Sequence, residues 1–240
     1  MKSVKNFCPK CGRKLKPNPK TESRALYLVL IFYLLIIGFI AVDTIYFKYN
    51  ETGLWYEITG NLLFLGLTVL FVLFDRTSVL SLYKIPRSNW KILLFSFLFP
   101  LVSAPVVGIS IEKLNRFLGY INPNYYMDYT NYEHPVLWSL FFVVILPPLV
   151  EELAFRGFLQ QQLLKITSPH IAVIGSAFLF AFVHFSIISI VWLFPFGIIL
   201  GYIRNKYKTL WYGMIIHGIH NLIILAMDYY NYNSLTFSNF

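Results

Sequence analysis

Three short stretches of this 240-residue chain carry side chains able to do acid–base chemistry: Glu151-Glu152 with Arg156, His184, and His217 with Asn221. Each lies in an otherwise apolar run. Ionisable groups placed in hydrocarbon cost about 2.5 kcal/mol or more unless they are paired or reach water, so their presence marks function by default. Acid–base groups of this kind suit either hydrolysis or a proton relay. A carboxylate in a low dielectric is a stronger base, and a neighbouring imidazole can share or relay the proton. Amide and imidazole N–H groups can stabilise a developing oxyanion.

Spacing separates the roles. Glu152 and Arg156 are four residues apart with the acid first, the favoured orientation for a helical pair. Adjacent helical residues point about 100° apart, so Glu151 faces elsewhere and is free for another task. A plainer reading of this stretch is a helix restarting after Pro147-Pro148 with acids in its first turn. The stretch alone supports both readings equally. His184 sits in Phe180-Ala181-Phe182-Val183-His184, and a lone intramembrane histidine is more often a packing residue than a catalyst. His217 and Asn221 stack on one helical face. Three separate helices bearing inward polar groups are harder to explain by packing. His134 and His170 fall at span ends and read as interfacial.

The elements that must position these residues are membrane spans. Hydrophobic residues make up 57% of the chain and charged residues 13%, too few to cover a water-facing surface. Apolar stretches lie at about 25–42, 58–74, 90–109, 136–155, 171–203 and 210–227, and a crossing needs about 20 residues. The 171–203 stretch is too long for one crossing and is expected to turn near Ser186–Ser189. With the N-terminus inside, 17 Lys and Arg fall on the cytoplasmic side and three (Lys48, Lys113, Arg116) opposite. That split is a topology signal and excludes the continuous basic face of a nucleic-acid binder. The expected fold is all-α: a polytopic transmembrane helical bundle of seven to eight spans. A cytoplasmic arm occupies 1–24, the membrane domain 25–228 and a short polar tail 229–240. The loop around Tyr120–His134 reads as an interfacial flap. Counted from the cytoplasmic boundary at 1.5 Å per residue, Glu151 and His217 lie about 10 Å deep and His184 about 18–20 Å.

Glu-Glu-x-x-x-Arg at Glu151–Arg156, Phe-x-x-x-His at Phe180–His184 and His-x-x-x-Asn at His217–Asn221 resemble, in order and spacing, the three signatures of the CPBP (Abi) intramembrane proteases. This group includes the type II CAAX prenyl protease. Gly197 and Gly201 fit the same pattern. The resemblance covers about 136–225; the first three spans match in hydropathy only. It implies an intramembrane endopeptidase facing the cytoplasm and acting on a membrane-associated protein or peptide. By it, Glu151 and His184 activate water, His217 and Asn221 stabilise the oxyanion, and Glu152 and Arg156 support the helix. The family is commonly labelled metalloprotease, so Zn²⁺ at the active site stays open beside a metal-free glutamate–water route. The implied location is a prokaryotic cell membrane, with the lipid bilayer as partner.

Cys8 and Cys11 form one knuckle of a zinc ribbon. A structural zinc site takes four ligands, so this half site would need completion by a dimer through the arm or by a partner; otherwise it is a metal-free turn. Two other functions share these features: a non-proteolytic scaffold or immunity-type protein that keeps the fold, and a proton-coupled transporter. The inverted repeat common in transporters is not evident in the sequence.

Overall fold

The structure, a computed structural model, describes residues 19–49, 53–85 and 89–237. Cys8 and Cys11, and with them the half zinc site and the arm as a dimer contact, lie outside the described residues. Helix α1 spans Pro19–Tyr49, α2 Leu54–Leu73, the one-turn α3 Arg76–Leu80, and α4 Trp90–Leu118. Then come α5 at Pro135–Ile166, α6 at Pro169–Phe182, α7 at Ile187–Tyr207 and α8 at Trp211–Phe237. No strand occurs among the described residues.

Local chemistry sets the boundaries. Asn89 caps α4 by accepting from the Lys91 N–H at 3.2 Å, and Gly119, at φ 72°, ends it in the left-handed region that suits glycine. Ser168 caps α6 ahead of Pro169, the position where a missing N–H costs nothing. Ser186 starts α7 by accepting from the Ser189 N–H and hydroxyl at 3.2 and 2.8 Å.

Helices α1, α2, α4, α5 and α7 are long and apolar enough to cross a bilayer, five where seven to eight were expected. The turn predicted inside 171–203 is present, at 183–186. Its first arm is one part of the shortfall, the 14 residues of α6 extending about 21 Å, short of a hydrocarbon core of about 30 Å; α8, over the last expected span, is the other. Helix α8 runs on through Phe237, so the tail expected from 229 is mostly helical.

The second half of α5 is the centre of the bundle. Ala154 through Gln160 are all buried, with Phe158 set against Phe32 of α1 and Phe71 of α2 at centroid distances of 4.8 and 5.7 Å. The outer faces of α1, α2 and α4 present large apolar side chains such as Leu34, Leu62 and Val102. That is the surface a lipid-facing protein needs. Arg156, counted as a loop charge from sequence, is fully buried here, so the split counted from the sequence becomes 16 to three.

The 16-to-3 asymmetry sets an orientation that can be measured. Ile85 and Ile121 are both strongly exposed, in the turns before and after α4. Membrane-impermeant thiol labelling of intact cells should reach Ile121→Cys and miss Ile85→Cys. The opposite pattern would invert the bundle.

Candidate active site

Two prolines on α5 organise the site. Pro147 and Pro148 have no N–H, so the carbonyls one turn back, Val143 and Val144, lose their usual intrahelical donors. The helix widens to π geometry over Leu140–Ile145 and again over Glu152–Leu159, a distortion that recurs at functional sites. Helix α8 answers the first defect. Asn221 Nδ2–H donates to the Val143 carbonyl at 2.9 Å. One turn away, Gly218 faces the Val144 carbonyl, which lies 3.7 Å from where a Cβ would stand, an ordinary van der Waals contact. This seating fixes the register of α8, and the turn preceding Asn221 then presents His217 to both glutamates.

His217 Nε2 lies 3.9 Å from Glu151 Oε2, and Nδ1 lies 3.4 Å from Glu152 Oε1. The two carboxylates live differently. Glu152 is buried, and Arg156 Nη1–H donates to it at 2.8 Å. The Arg156 guanidinium also donates to the Gly197 carbonyl at 3.4 Å and sits 4.2 Å from the centre of the Phe180 ring. Glycines admit this buried charge: a Cβ on Gly213 would stand 2.8 Å from Glu152 Oε2, and one on Gly197 would stand 3.0 Å from Ala177 Cβ. Gly201 receives Gln160 in the same way, its carbonyl accepting from Nε2 at 3.0 Å. Outside the spans, burial and then the charge of Glu152 push the Tyr83 phenol upward, so the field of this pair extends to the turn after α3.

Glu151 is partly exposed, into a cavity of about 930 Å³. His184 opens onto the same cavity from the end of α6. Its Nδ1–H donates to the Phe180 carbonyl at 2.8 Å, which commits the proton of the neutral ring to Nδ1 and leaves the Nε2 lone pair free. The expected set is therefore gathered in two tiers. Glu151 and His184 line the cavity, while His217 stands behind Glu151 and Asn221 one turn further along α8. The remaining walls are Phe39–Thr44 of α1, Tyr56–Phe64 of α2 and the loop at 127–132.

Those walls separate the cavity from the arm, on whose side the sequence reading put the opening. Residues 39–44 lie about 30–37 Å along α1 from Pro19, so the cavity is at the end of the bundle opposite the arm. The misplacement came from ending the fourth span at 155. With α5 continuing to Ile166, Glu151 is at mid-depth, about 22 Å from that terminus.

The loop expected to be a flap does cover this space. Tyr125 N–H donates to Asp228 Oδ2 at 2.9 Å, and the Asn124 side-chain amide to the Asp228 carbonyl at 3.0 Å. The Tyr129 hydroxyl donates to Glu57, and its ring stacks 6.2 Å from that of Phe142. Burial pushes the Asp128 carboxyl and the Tyr129 phenol upward. In the sequence Asp43, Glu57 and Asp128 fall at span ends or in a loop, where an acid is ordinary. His220, stacked on Trp192 at 5.7 Å with its Nδ1 unpartnered among the described residues, was given no role. Its spacing from His217 was the available signal. Among the described residues no three His, Cys, Asp or Glu side chains gather closely enough to hold a metal ion, so no step is routed through zinc.

Residues 133–223 match the family described as type II CAAX prenyl endopeptidase Rce1-like, a stretch that includes Glu151, His184, His217 and Asn221. Over that stretch the chain is similar to this CAAX protease-like family, in agreement with its three motifs. Comparison with curated proteins finds no match.

The Glu152–Arg156 pair predicts a non-additive stability pattern. Removing one partner of a buried ion pair costs about 3–5 kcal/mol, because the other charge is stranded, whereas replacing both is far milder. Arg156→Met and Glu152→Gln should each lower the thermal stability of the purified protein strongly. The double variant should recover much of the loss. Additive losses would show that the two charges do not depend on each other.

Proposed function

We propose that this protein is an intramembrane endopeptidase in which Glu151 activates water for attack on a peptide bond, assisted by His184. The observation that carries this reading is the shared cavity: a carboxylate and an imidazole with a free Nε2 lone pair face one 930 Å³ space at mid-depth, with His217 behind the carboxylate. Glu151 accepts a proton from the water as its oxygen attacks the scissile carbonyl carbon. The Nε2 lone pair of His184 accepts the water's second hydrogen bond and orients it. As the tetrahedral intermediate collapses and the C–N bond breaks, Glu151 returns its proton to the departing nitrogen. Microscopic reversibility makes the same carboxyl base and acid.

The oxyanion needs donors that are already in place. His217 and Asn221 are assigned that task. The Asn221 amide has two N–H bonds and gives one to Val143, which leaves the second while holding the group rigid. Glu152 orients His217 from the far side. The substrate is a peptide or a membrane-associated protein segment.

Glu151→Gln should abolish turnover in a reconstituted cleavage assay while leaving the fold intact, a loss of about 10²–10⁴-fold in rate. Asn221→Ala should cost about 10²–10³-fold. Prolonged chelation should leave wild-type cleavage unchanged. A Glu151→Gln variant that still cleaves at the wild-type rate would remove the proposed base, and inactivation by chelator with recovery on adding Zn²⁺ would replace the metal-free route.

A further inference from the structure

The cavity wall carries a charge pattern that peptide hydrolysis alone does not require. Four of its lining residues are carboxylic acids, Asp43, Glu57, Asp128 and Glu151, and among the described residues none is Lys or Arg. The first three come from three separate elements, α1, α2 and the covering loop. Asp43 accepts from the Tyr56 hydroxyl at 2.8 Å and Glu57 accepts from Tyr129, which aims both groups and leaves each a second oxygen. Asp128 has no hydrogen-bond or ion-pair partner among the described residues. Like charges sharing a space poor in water repel one another, and a cation entering that space relieves all of them together.

The surrounding end of the bundle has the same sign. Among the described residues six acids lie there (Asp43, Glu57, Glu112, Asp128, Glu133 and Asp228) against three basic ones, Lys48, Lys113 and Arg116. A cleft of one sign with low-dielectric walls concentrates ligands of the opposite sign. The volume is that of a site for an extended ligand, and Glu151 and His184 form its inner wall independently of the acids at the mouth.

We propose that the cavity admits a cationic peptide segment from the end of the bundle opposite the N-terminal arm. A Lys or Arg side chain or a free amino terminus is held by Asp43, Glu57 and Asp128 while the adjoining peptide bond lies against Glu151 and His184. This specificity rests on the endopeptidase reading for its consequence, but charge-selective binding can be measured without cleavage.

The test uses the full chain carrying Glu151→Gln in nanodiscs of zwitterionic lipid. Three fluorescent peptides are compared that differ only at a central pair, Lys-Lys, Gln-Gln or Glu-Glu. Anisotropy should show the Lys peptide binding at least about tenfold more tightly than the Glu peptide. Asp128→Asn should reduce that ratio several-fold, and Asp128→Lys should reverse it. Asp43→Asn should act in the same direction; if that variant fails to fold, the loop position Asp128 carries the test. Equal affinity for the three peptides, or a preference untouched at Asp128, overturns the proposal. In sealed vesicles sorted by labelling at Ile121→Cys, added Lys peptide should bind only where the loop end faces out, and binding in the other orientation overturns the route. The wild-type protein is assayed for cleavage of the same peptides. Selective binding without cleavage would sink proteolysis and keep the charge selectivity, whereas equal cleavage of all three would do the reverse.

Discussion

Glu152 and Arg156 are 1% and 0% exposed, and an ion pair buried so deeply has to recruit every group in reach. Each ion gives up hydration worth several kcal/mol, at least about 3 for an uncompensated charge, and one hydrogen bond between them does not restore it. The rest comes from three other helices. Helix α7 supplies the Gly197 carbonyl, α6 supplies the face of Phe180, and α8 supplies His217 and the open backbone at Gly213. Each contribution demands close approach, which accounts for glycines where a side chain would intrude. The pair thus does more than support its own helix: it sets the distances at which α6, α7 and α8 meet α5.

The tier facing the cavity inherits its geometry from that arrangement. Glu151 precedes Glu152, so fixing the second carboxylate fixes the direction of the first. His217 reaches both, at 3.4 and 3.9 Å, and cannot be turned by one without disturbing the other. Phe180 links the remaining member: its ring lies under Arg156 while its carbonyl accepts from His184 Nδ1–H, so the buried pair and the free Nε2 lone pair are held by one residue. On the far side, the prolines that deprive Val143 of its donor create the acceptor that Asn221 fills. A helix defect and a side-chain amide on another helix complete one another.

The chemistry was more legible in the sequence than the membrane geometry. Carboxylates and histidines are scarce in apolar runs, so Glu151, His184 and His217 declared themselves by cost alone. The i, i+4 spacing correctly paired Glu152 with Arg156, and the length of the 171–203 stretch demanded a turn. Depth was harder. Hydropathy does not distinguish a residue facing lipid from one facing a protein neighbour, so the fourth span was ended at 155, although α5 continues eleven residues further through its most buried part. Asp43 and Glu57 were invisible for a related reason. Near a span end an acid is cheap if it faces water, and only three-dimensional packing shows them turned into a shared cavity instead. Asn221 was recognised as polar and inward, but its bond to Val143 needed the register between α5 and α8. No local pattern carries that.

The proposed hydrolytic site has to solve a problem of access, since continuous helices packed side by side leave no room for water or a peptide. The solution here is the short α6. After 14 residues it turns at His184, with Phe185 at φ 47° taking the strain, and the cavity lies beside that turn. Helices α1 and α2 border that space with Asp43 and Glu57, and the 119–134 loop closes over it, anchored by Asp228 at one side and Tyr129 at the other. Polar groups that would be costly facing lipid become the lining of that cavity. Basic residues gather at the opposite end, where α6 and α7 are complete. The charge asymmetry that orients the chain therefore also leaves the open end acidic, and one distribution of residues serves both insertion and the electrostatics of the mouth.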